Sequence, residues 1–179
     1  YMSGFPDFNR KSARMQTERS FKSQIIAAIP LTSQEKLFHI RICDSSEREA
    51  FNFLPGQFVM LELPGGGEIA ISISGSSSNR EFLELCVRNV GKTTGMLHRL
   101  ETGAMVGIRG PFGTHFPVEE MISANVLLIA GGLGIAPLRS PIYWVNEHRI
   151  DYQDVTILYG ARDPGSLLFE YQFEEWRDR

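Results

Sequence analysis

The chain has 179 residues, of which 42% are hydrophobic, and it carries a formal net charge of −3 at pH 7. This length suits one full domain and part of another, and the small negative charge gives no reason to expect nucleic acid as a partner. No apolar run approaches the roughly 18 residues that a membrane span needs, so we expect a soluble, cytoplasmic protein without a membrane span.

Residues 1–20 are polar and lack the hydrophobic centre of a signal peptide, so we expect a flexible leader or an arm that docks on a partner. Residues 21–118 are predicted to form the first domain. Six short strands are predicted there, at residues 21–30, 36–43, 58–63, 69–74, 81–89 and 105–110. Turn signals and a single short helix, at residues 94–100, separate them, and such closely spaced strands predict a small antiparallel β-barrel.

Two short segments of this barrel are candidates for binding a phosphate-bearing ligand. In residues 90–97, a glycine turn is followed by Thr93, Thr94 and Gly95 at a helix start, where hydroxyls and backbone N–H groups can donate to a diphosphate. A plain capped helix explains the same residues. Residues 71–74 alternate isoleucine and serine, which is typical of an ordinary strand edge or of a strand that runs along a flavin ring.

Beyond residue 117 the hydrophobic pattern changes. The predicted elements alternate as strand, helix, strand and helix, at residues 126–130, 137–149, 155–159 and 166–179. We interpret residues 124–179 as the first half of a doubly wound, Rossmann-like α/β nucleotide domain. Pro141 lies where the first of these helices should continue, and we expect it to kink or shorten that helix.

A glycine-rich loop joins the first strand and helix of this second domain. Gly131, Gly132 and Gly134 would let backbone N–H groups approach a ligand, and the helix that begins near Pro137 would direct its positive end at a phosphate. The pattern favours a nucleotide-binding loop. Tight packing of a strand against a helix is the alternative.

The cysteines and histidines predict no metal site. Cys43 and Cys86 lie far apart in apolar, strand-like patterns, and we expect both to be buried structural thiols. The histidines have no metal-ligand spacing, and we interpret them as ordinary surface or packing residues: His39, His98, His115 and His148.

Six motifs in order carry a family resemblance. They are PGQF at residues 55–58, ISIS at 71–74, G-x-x-T-x-x-L at 91–97, GPFG at 110–113, GGLGIAP at 131–137 and LYGAR at 158–162. Together they resemble the ferredoxin-NADP reductase superfamily. Within it, the chain is similar to flavin-binding electron-transfer subunits, namely the gamma subunits of cytoplasmic nickel-iron hydrogenases and sulfhydrogenases and the electron-transfer subunit of dihydroorotate dehydrogenase.

The resemblance implies a diaphorase-type flavin oxidoreductase subunit. Its barrel would hold FAD, its second domain would bind NAD or NADP, and electrons would pass to iron-sulfur or hydrogenase-type partner subunits. It assigns FAD contacts to Ile71, Ser72, Ile73, Ser74, Gly91, Thr93, Thr94 and Leu97, and nucleotide contacts to Gly131, Gly132, Gly134, Pro137, Gly160, Ala161 and Arg162. It implies no catalytic acid or base, because the redox chemistry belongs to the flavin.

Two departures from the family pattern qualify this expectation. Ile69 stands where the family usually has an arginine that pairs with a flavin phosphate, which leaves Lys92 and Arg88 as the nearby cations. The second domain stops after its second predicted helix, so the resemblance places a [2Fe-2S] centre only on sequence beyond Arg179. Arg162 could meet the 2′-phosphate of NADP or pair with a carboxylate, which leaves the choice between NADH and NADPH open.

Two other functions remain open from the sequence. One is a non-catalytic structural or regulatory subunit that keeps the fold but binds cofactor weakly, and it is supported by Ile69 and by the short second domain. The other is a self-contained reductase for a small acceptor, which half a nucleotide domain makes less suitable.

Overall fold

The computed structural model describes residues 19–178. All but the last two residues of the predicted leader, 1–20, lie outside this range, as does Arg179 at the end of the last predicted helix. Within the described range, no helix is long and apolar enough to cross a membrane.

Six antiparallel strands form the first part of the fold. They are β1 (Phe21–Pro30), β2 (Glu35–Ile42), β3 (Phe58–Leu63), β4 (Gly67–Ser72), β5 (Leu83–Arg88) and β6 (Met105–Phe112), in the order β4-β3-β6-β1-β2-β5. Ile73, just past β4, bridges Leu85 on β5. The next residue, Ser74, donates its N–H to the carbonyl of Glu84 at 2.8 Å, so the two edge strands meet. The predicted antiparallel β-barrel is confirmed.

Alternating side chains fill the inside of this barrel. On β3, Val59 and Leu61 are fully buried, whereas the alternate residues Phe58, Met60 and Glu62 are only half-buried. Helix α2 (Lys92–Arg99) adds the fully buried Leu97 to the same core. The barrel therefore has its own hydrophobic core.

A helix that the sequence did not predict, α1 (Ser45–Ala50), corrects the expectation of a single helix in this region. None of its residues is buried, so no hydrophobic period marks it. Asp44 caps it by accepting a hydrogen bond from the N–H of Glu47 at 2.9 Å. Hydrogen bonds from Ser46 and from this N–H lower the pKa of the Asp44 carboxyl. The cap explains why the helix forms here.

The α/β region contains two parallel strands, β7 (Val126–Gly131) and β8 (Val155–Gly160), paired over their full lengths. Helix α3 (Ile135–Glu147) connects them and packs on the sheet. The strand-helix-strand part of the predicted nucleotide fold is confirmed. The glycine loop between β7 and α3 lies beside the barrel, because barrel residues 32–35 line the same cleft as Gly131, Gly132 and Gly134.

The predicted long helix at residues 166–179 is wrong. Only α4 (Phe173–Arg177) is α-helical there, and 3₁₀ turns at Pro164–Ser166 and Glu170–Gln172 precede it. Phe169 is buried and has a left-handed backbone with φ of 59°, which no helix accommodates. The chain leaves the helical path to bury this ring.

Pro141 does not shorten α3, which runs through it as a helix of 13 residues. A proline inside a helix removes one backbone donor. Pro141 and its neighbours Ser140 and Ile142 are nevertheless buried, so packing holds the helix through this point.

The two cysteines differ in exposure. Cys86 is buried as expected, and burial raises the pKa of its thiol to about 12. Cys43 is exposed, which corrects the expectation that both thiols are buried. It directly follows Ile42, the last residue of β2, and therefore lies outside the alternation of the strand.

Candidate functional site

The glycine loop opens onto a cleft between the barrel and the α/β region. The cleft has a volume of about 680 Å³ and lies at the carboxyl ends of β7 and β8, where open α/β sheets bind their ligands. The structure brings together there the predicted nucleotide residues Gly131, Gly132, Gly134, Gly160, Ala161 and Arg162. Pro137, in the first turn of α3, is not among the lining residues. The barrel contributes residues 32–35 and Arg88 to the lining.

The glycines of the cleft leave room for a ligand to approach the backbone. A Cβ atom built on Gly131, Gly134 or Gly160 would meet no atom within 4 Å. Gly132 also faces open space and has φ of 51°, a left-handed conformation that favours glycine. A 3₁₀ turn at Gly132–Gly134 leads directly into α3, and the N–H of Ile135 donates to the carbonyl of Gly132. The backbone groups that line the cleft are therefore those of the glycine loop itself. This donor set fits a phosphate-bearing nucleotide.

Arg162 offers a cation to the cleft. Its side chain is exposed at the end of β8, and it makes no ion pair with any other described residue. The neighbouring Asp163 accepts a hydrogen bond from the hydroxyl of Ser166 at 2.9 Å. Arg162 therefore remains available for an anionic ligand.

Arg88 is the second cation of the cleft, and it is held in place by the barrel. Its Nε donates to the carboxylate of Glu35, which is 4% exposed and also accepts a hydrogen bond from Thr32. Because this pair lies on the cleft wall, Arg88 faces the nucleotide loop. Lys92 is exposed at the start of α2, the helix to which the resemblance assigns the FAD phosphates.

The predicted flavin residues at the end of β4 divide into two kinds. Ile71 and Ser72 are half-buried, whereas Ile73 and Ser74 are completely buried. Ile73 forms the bridge that closes the barrel. Among the described residues, the hydroxyl of Ser74 is buried without a hydrogen-bond partner. Ser72 therefore presents the accessible hydroxyl at this end of the strand.

At the start of α2 the two predicted threonines have protein partners. The hydroxyl of Thr94 accepts hydrogen bonds from the N–H groups of Val90 at 3.0 Å and Gly91 at 2.9 Å. The hydroxyl of Thr93 donates to the carbonyl of Gly66 at 2.9 Å. Leu97 lies in the barrel core. The groups left for a phosphate are the first backbone N–H groups of α2 and the exposed Lys92.

These groups fit the diphosphate of FAD. Backbone N–H groups at a helix N-terminus bind phosphate oxygens, and a lysine supplies the compensating charge. A Cβ atom built on Gly91 would meet no atom within 4 Å, so its backbone is open to a ligand. Ile69 packs on the barrel core and supplies no charge. The predicted FAD site therefore has one cation fewer than the family resemblance implies.

Sequence reasoning missed Arg139, which connects the barrel to the α/β region. It lies on α3, is 2% exposed, and binds both carboxylate oxygens of Glu84 on β5, at 3.1 and 3.3 Å. It also donates to the carbonyl of Ser74 at 3.4 Å and to the side chain of Gln172 at 2.7 Å. The sequence carries a signal for this residue. Arg139 stands three residues after Ala136 and three before Ile142, a spacing that puts it on the buried face of α3.

The carboxylate of Glu84 is ionised in this interface. Burial raises the pKa of Glu84, but the neighbouring His39 and the charge of Arg139 outweigh it, so the pKa lies below its usual value. His39 lies 3.3 Å from the carboxylate and stacks on Phe82, with ring centroids 4.4 Å apart. The pair of Glu84 and Arg139 is therefore a charged contact between two buried side chains.

Two family models match the chain, one to each part of the fold. The Oxidoreductase FAD-binding domain matches residues 23–116, and the Oxidoreductase NAD-binding domain matches residues 128–179. Sulfhydrogenase 2 subunit gamma of Pyrococcus furiosus is 42% identical over 155 residues, which are 87% of this chain and 53% of that protein. The probable dihydroorotate dehydrogenase B electron transfer subunit of Methanocaldococcus jannaschii is 38% identical over 125 residues, 70% of this chain and 44% of that protein.

Solved structures agree with the fold. The cytochrome P450 reductase GcoB of Amycolatopsis has a TM-score of 0.77 at 25% identity, covering 89% of this chain and 48% of that one. The ferredoxin-NADP+ reductase of Plasmodium falciparum has a TM-score of 0.72 at 22% identity, covering 90% of this chain and 66% of that one. The chain spans about half the length of the curated relatives it matches.

Proposed function

This chain belongs to the family of oxidoreductase FAD-binding domains, and from that premise we propose that it is an FAD-dependent electron-transfer subunit. It exchanges hydride with NADH or NADPH and passes electrons to iron-sulfur or hydrogenase-type partner subunits. The relatives named as sulfhydrogenase gamma and dihydroorotate dehydrogenase electron transfer subunits support this choice of partners.

One observation carries the proposal. Helix α3, which follows the proposed nucleotide loop, contacts the segment just after the end of β4, the proposed flavin strand. Helix α3 begins at the glycine loop, and its Arg139 donates to the carbonyl of Ser74, two residues past the end of β4. A nucleotide held by the loop and a flavin held along β4 would therefore lie at the same junction. Hydride transfer requires such proximity.

FAD, when bound, supplies the hydride and single-electron chemistry. We assign the protein a positioning role. Ser72 faces the flavin ring with its hydroxyl, and Lys92 and the first N–H groups of α2 hold the diphosphate. The cleft glycines, with Arg162 and Arg88, hold the phosphates of the pyridine nucleotide. We place the FAD domain at residues 21–118 and the nucleotide region at 124–179.

A cytoplasmic location is part of the proposal. Both Cys43 and Cys86 are free thiols, which is the normal state of cysteines in a reducing compartment.

A second candidate is a structural or regulatory subunit that binds cofactor weakly. Ile69 favours it, because a charge-assisted contact to the flavin phosphate is missing. This version predicts a protein that loses FAD on desalting.

The test is an absorbance spectrum after incubation with FAD and desalting, followed by anaerobic addition of NADH and, separately, NADPH. We expect oxidised-flavin bands that bleach with one nucleotide, which identifies the preferred donor. A colourless protein would contradict the proposal and support the second candidate. A yellow protein that neither nucleotide bleaches would contradict the hydride-exchange role.

Two glycine variants test the two sites separately. Gly134, with φ of −61°, and Gly91, with φ of −165°, both accept a Cβ without a contact inside 4 Å, so neither substitution should disturb the fold. Gly134→Ala should weaken nucleotide binding and leave FAD retention unchanged. Gly91→Ala should weaken FAD retention. If either variant affects the other ligand instead, the assignment of sites is wrong.

A further inference from the structure

We propose that Arg139 is a positioning residue. Together with Glu147, it fixes α3 and its glycine loop against the segment that follows β4, the proposed flavin strand. The inference deepens the proposed function and rests on it for its catalytic consequence. Its structural part concerns the protein chain alone.

Arg139 joins three separate segments. Glu84 and the Ser74 carbonyl belong to the barrel, Tyr143 lies one turn further along α3, and Gln172 belongs to the segment after β8. The guanidinium fork engages both oxygens of Glu84, a geometry that restricts orientation as well as distance. Gln172 also donates to the hydroxyl of Tyr143 at 2.8 Å, so the contacts form a closed network.

Phe169 shows that the fold accommodates this network at a conformational cost. It is 1% exposed, and its ring centre lies 4.5 Å from the guanidinium carbon of Arg139. Its φ of 59° is unfavourable for a bulky side chain and persists only where surrounding contacts fix it. The ring lies over the cation in a favourable cation–π position.

Glu147 provides a second attachment at the other end of the helix. Its two carboxylate oxygens accept hydrogen bonds from Ser76 at 2.6 Å and Ser78 at 2.7 Å. A carboxylate is unfavourable at a helix C-terminus, so the helix itself does not explain Glu147. Ser76 and Ser78 lie in the loop that connects β4 to β5.

Two attachments on one helix fix its direction. Arg139 and Glu147 are separated by eight residues, or about 12 Å along a helix. Both bind the segment between the end of β4 and β5, which directly follows the proposed flavin strand. If one attachment is lost, α3 and the glycine loop at its start can shift relative to β4. Hydride transfer is sensitive to shifts of this kind, because about 1 Å of misplacement can cost about a hundredfold in rate.

The structural test measures a distance without any cofactor. Cys43 is exposed on the barrel and accepts a spin label, whereas Cys86 is buried with a thiol pKa of about 12 and should not react. Ile150 is 97% exposed in the α/β region, and Ile150→Cys adds the second label. We expect a narrow distance distribution that broadens in R139Q and, to a smaller extent, in E147Q. Arg99→Gln, an exposed change on α2, is the control and should not alter the distribution.

An unchanged distribution in both R139Q and E147Q would overturn the proposal. If R139Q does not fold, the same measurement on R139K and E147Q tests the proposal. R139K keeps the buried positive charge and loses only the guanidinium fork that binds both oxygens of Glu84. If the distance distribution broadens in R139K and stays unchanged in R99Q, the proposal is supported. If it broadens in neither R139K nor E147Q, the proposal is contradicted.

The catalytic readout uses FAD-loaded protein. At saturating nucleotide, the rate of flavin bleaching per folded molecule should fall at least about tenfold in R139Q, while the dissociation constant of the nucleotide stays within about threefold. A merely structural role would lower the folded fraction and leave the rate per folded molecule unchanged. If the wild type retains no FAD, the proposed function fails, and the label distances still decide whether Arg139 fixes the helix.

Discussion

Residue 69 is the position where a single side chain should change cofactor affinity most. Ile69 lies on β4 and packs on the barrel core. In Ile69→Arg, the apolar stem of arginine can cover the same surface while its head reaches a phosphate. One charge-assisted hydrogen bond contributes about 1.5–3 kcal/mol, so we expect FAD to bind about ten- to hundredfold more tightly, measured by fluorescence titration. Ile69→Leu keeps the apolar contact and should bind as the wild type does. Equal affinities for the two variants would contradict the placement of the diphosphate.

Glu84 should make stability depend on pH. Its pKa is lower in the folded state than the ordinary value of 4.5. The carboxylate therefore contributes stability that is fully present above that value and is lost as the pH falls through the folded-state pKa. In urea unfolding at pH 7, Glu84→Gln should be less stable than the wild type by about 2 kcal/mol. The difference should shrink as the pH approaches 3.

The exposed Glu81 provides the control for this titration. Glu81→Gln should track the wild type across the same pH range. A difference between Glu84→Gln and the wild type that stays constant down to pH 3 would mean that the ionisation of Glu84 does not contribute to stability.

At the scale of an element, Thr94 at the start of α2 shows whether a hydroxyl there caps the helix or binds the cofactor. The hydroxyl of Thr94 already accepts two backbone N–H groups without any ligand, from Val90 and Gly91. Thr94→Val should therefore destabilise the FAD-free chain by about 1 kcal/mol, measured by urea unfolding. Thr94→Ser keeps the hydroxyl and should remain close to the wild type. An FAD-free Thr94→Val chain as stable as the wild type would instead indicate that the hydroxyl serves only the cofactor.

The elements that the sequence predicted correctly are those with a clear hydrophobic period. β1 and β3 begin and end at the predicted residues. In each strand, apolar residues alternate with polar ones or follow one another without a break, and turn residues mark both ends. Helix α1 escaped prediction because its stability comes from the Asp44 cap and none of its residues is buried. The helix predicted at residues 166–179 failed because Phe169 is placed by its contact with Arg139, which depends on the whole fold.

The same limit applies to the candidate site. Gly131, Gly132, Gly134, Gly160 and Arg162 could be placed on one cleft from the motifs that carry the family resemblance, GGLGIAP and LYGAR. The barrel side of that cleft could not, because residues 32–35 and Arg88 reach it only through the packing of the two regions. Local patterns predict loops, whereas contacts between regions depend on tertiary structure.

At the scale of the whole molecule, the two-stranded sheet has one covered and one open face. Val126, Leu128 and Ala130 are buried against α3, while Leu127, Ile129 and Leu158 are 57%, 66% and 52% exposed.

Such an apolar surface should bind a hydrophobic dye and promote self-association. The double change of Ile129→Thr and Leu158→Thr places a residue of high β-propensity at both positions. Dye fluorescence and concentration-dependent elution on a sizing column should therefore fall while thermal stability stays close to the wild type. Leu128→Thr, on the covered face, is the matched control and should destabilise the chain by about 2–4 kcal/mol without reducing dye binding. Dye binding that is unchanged in the double variant would show that this face is not the surface responsible.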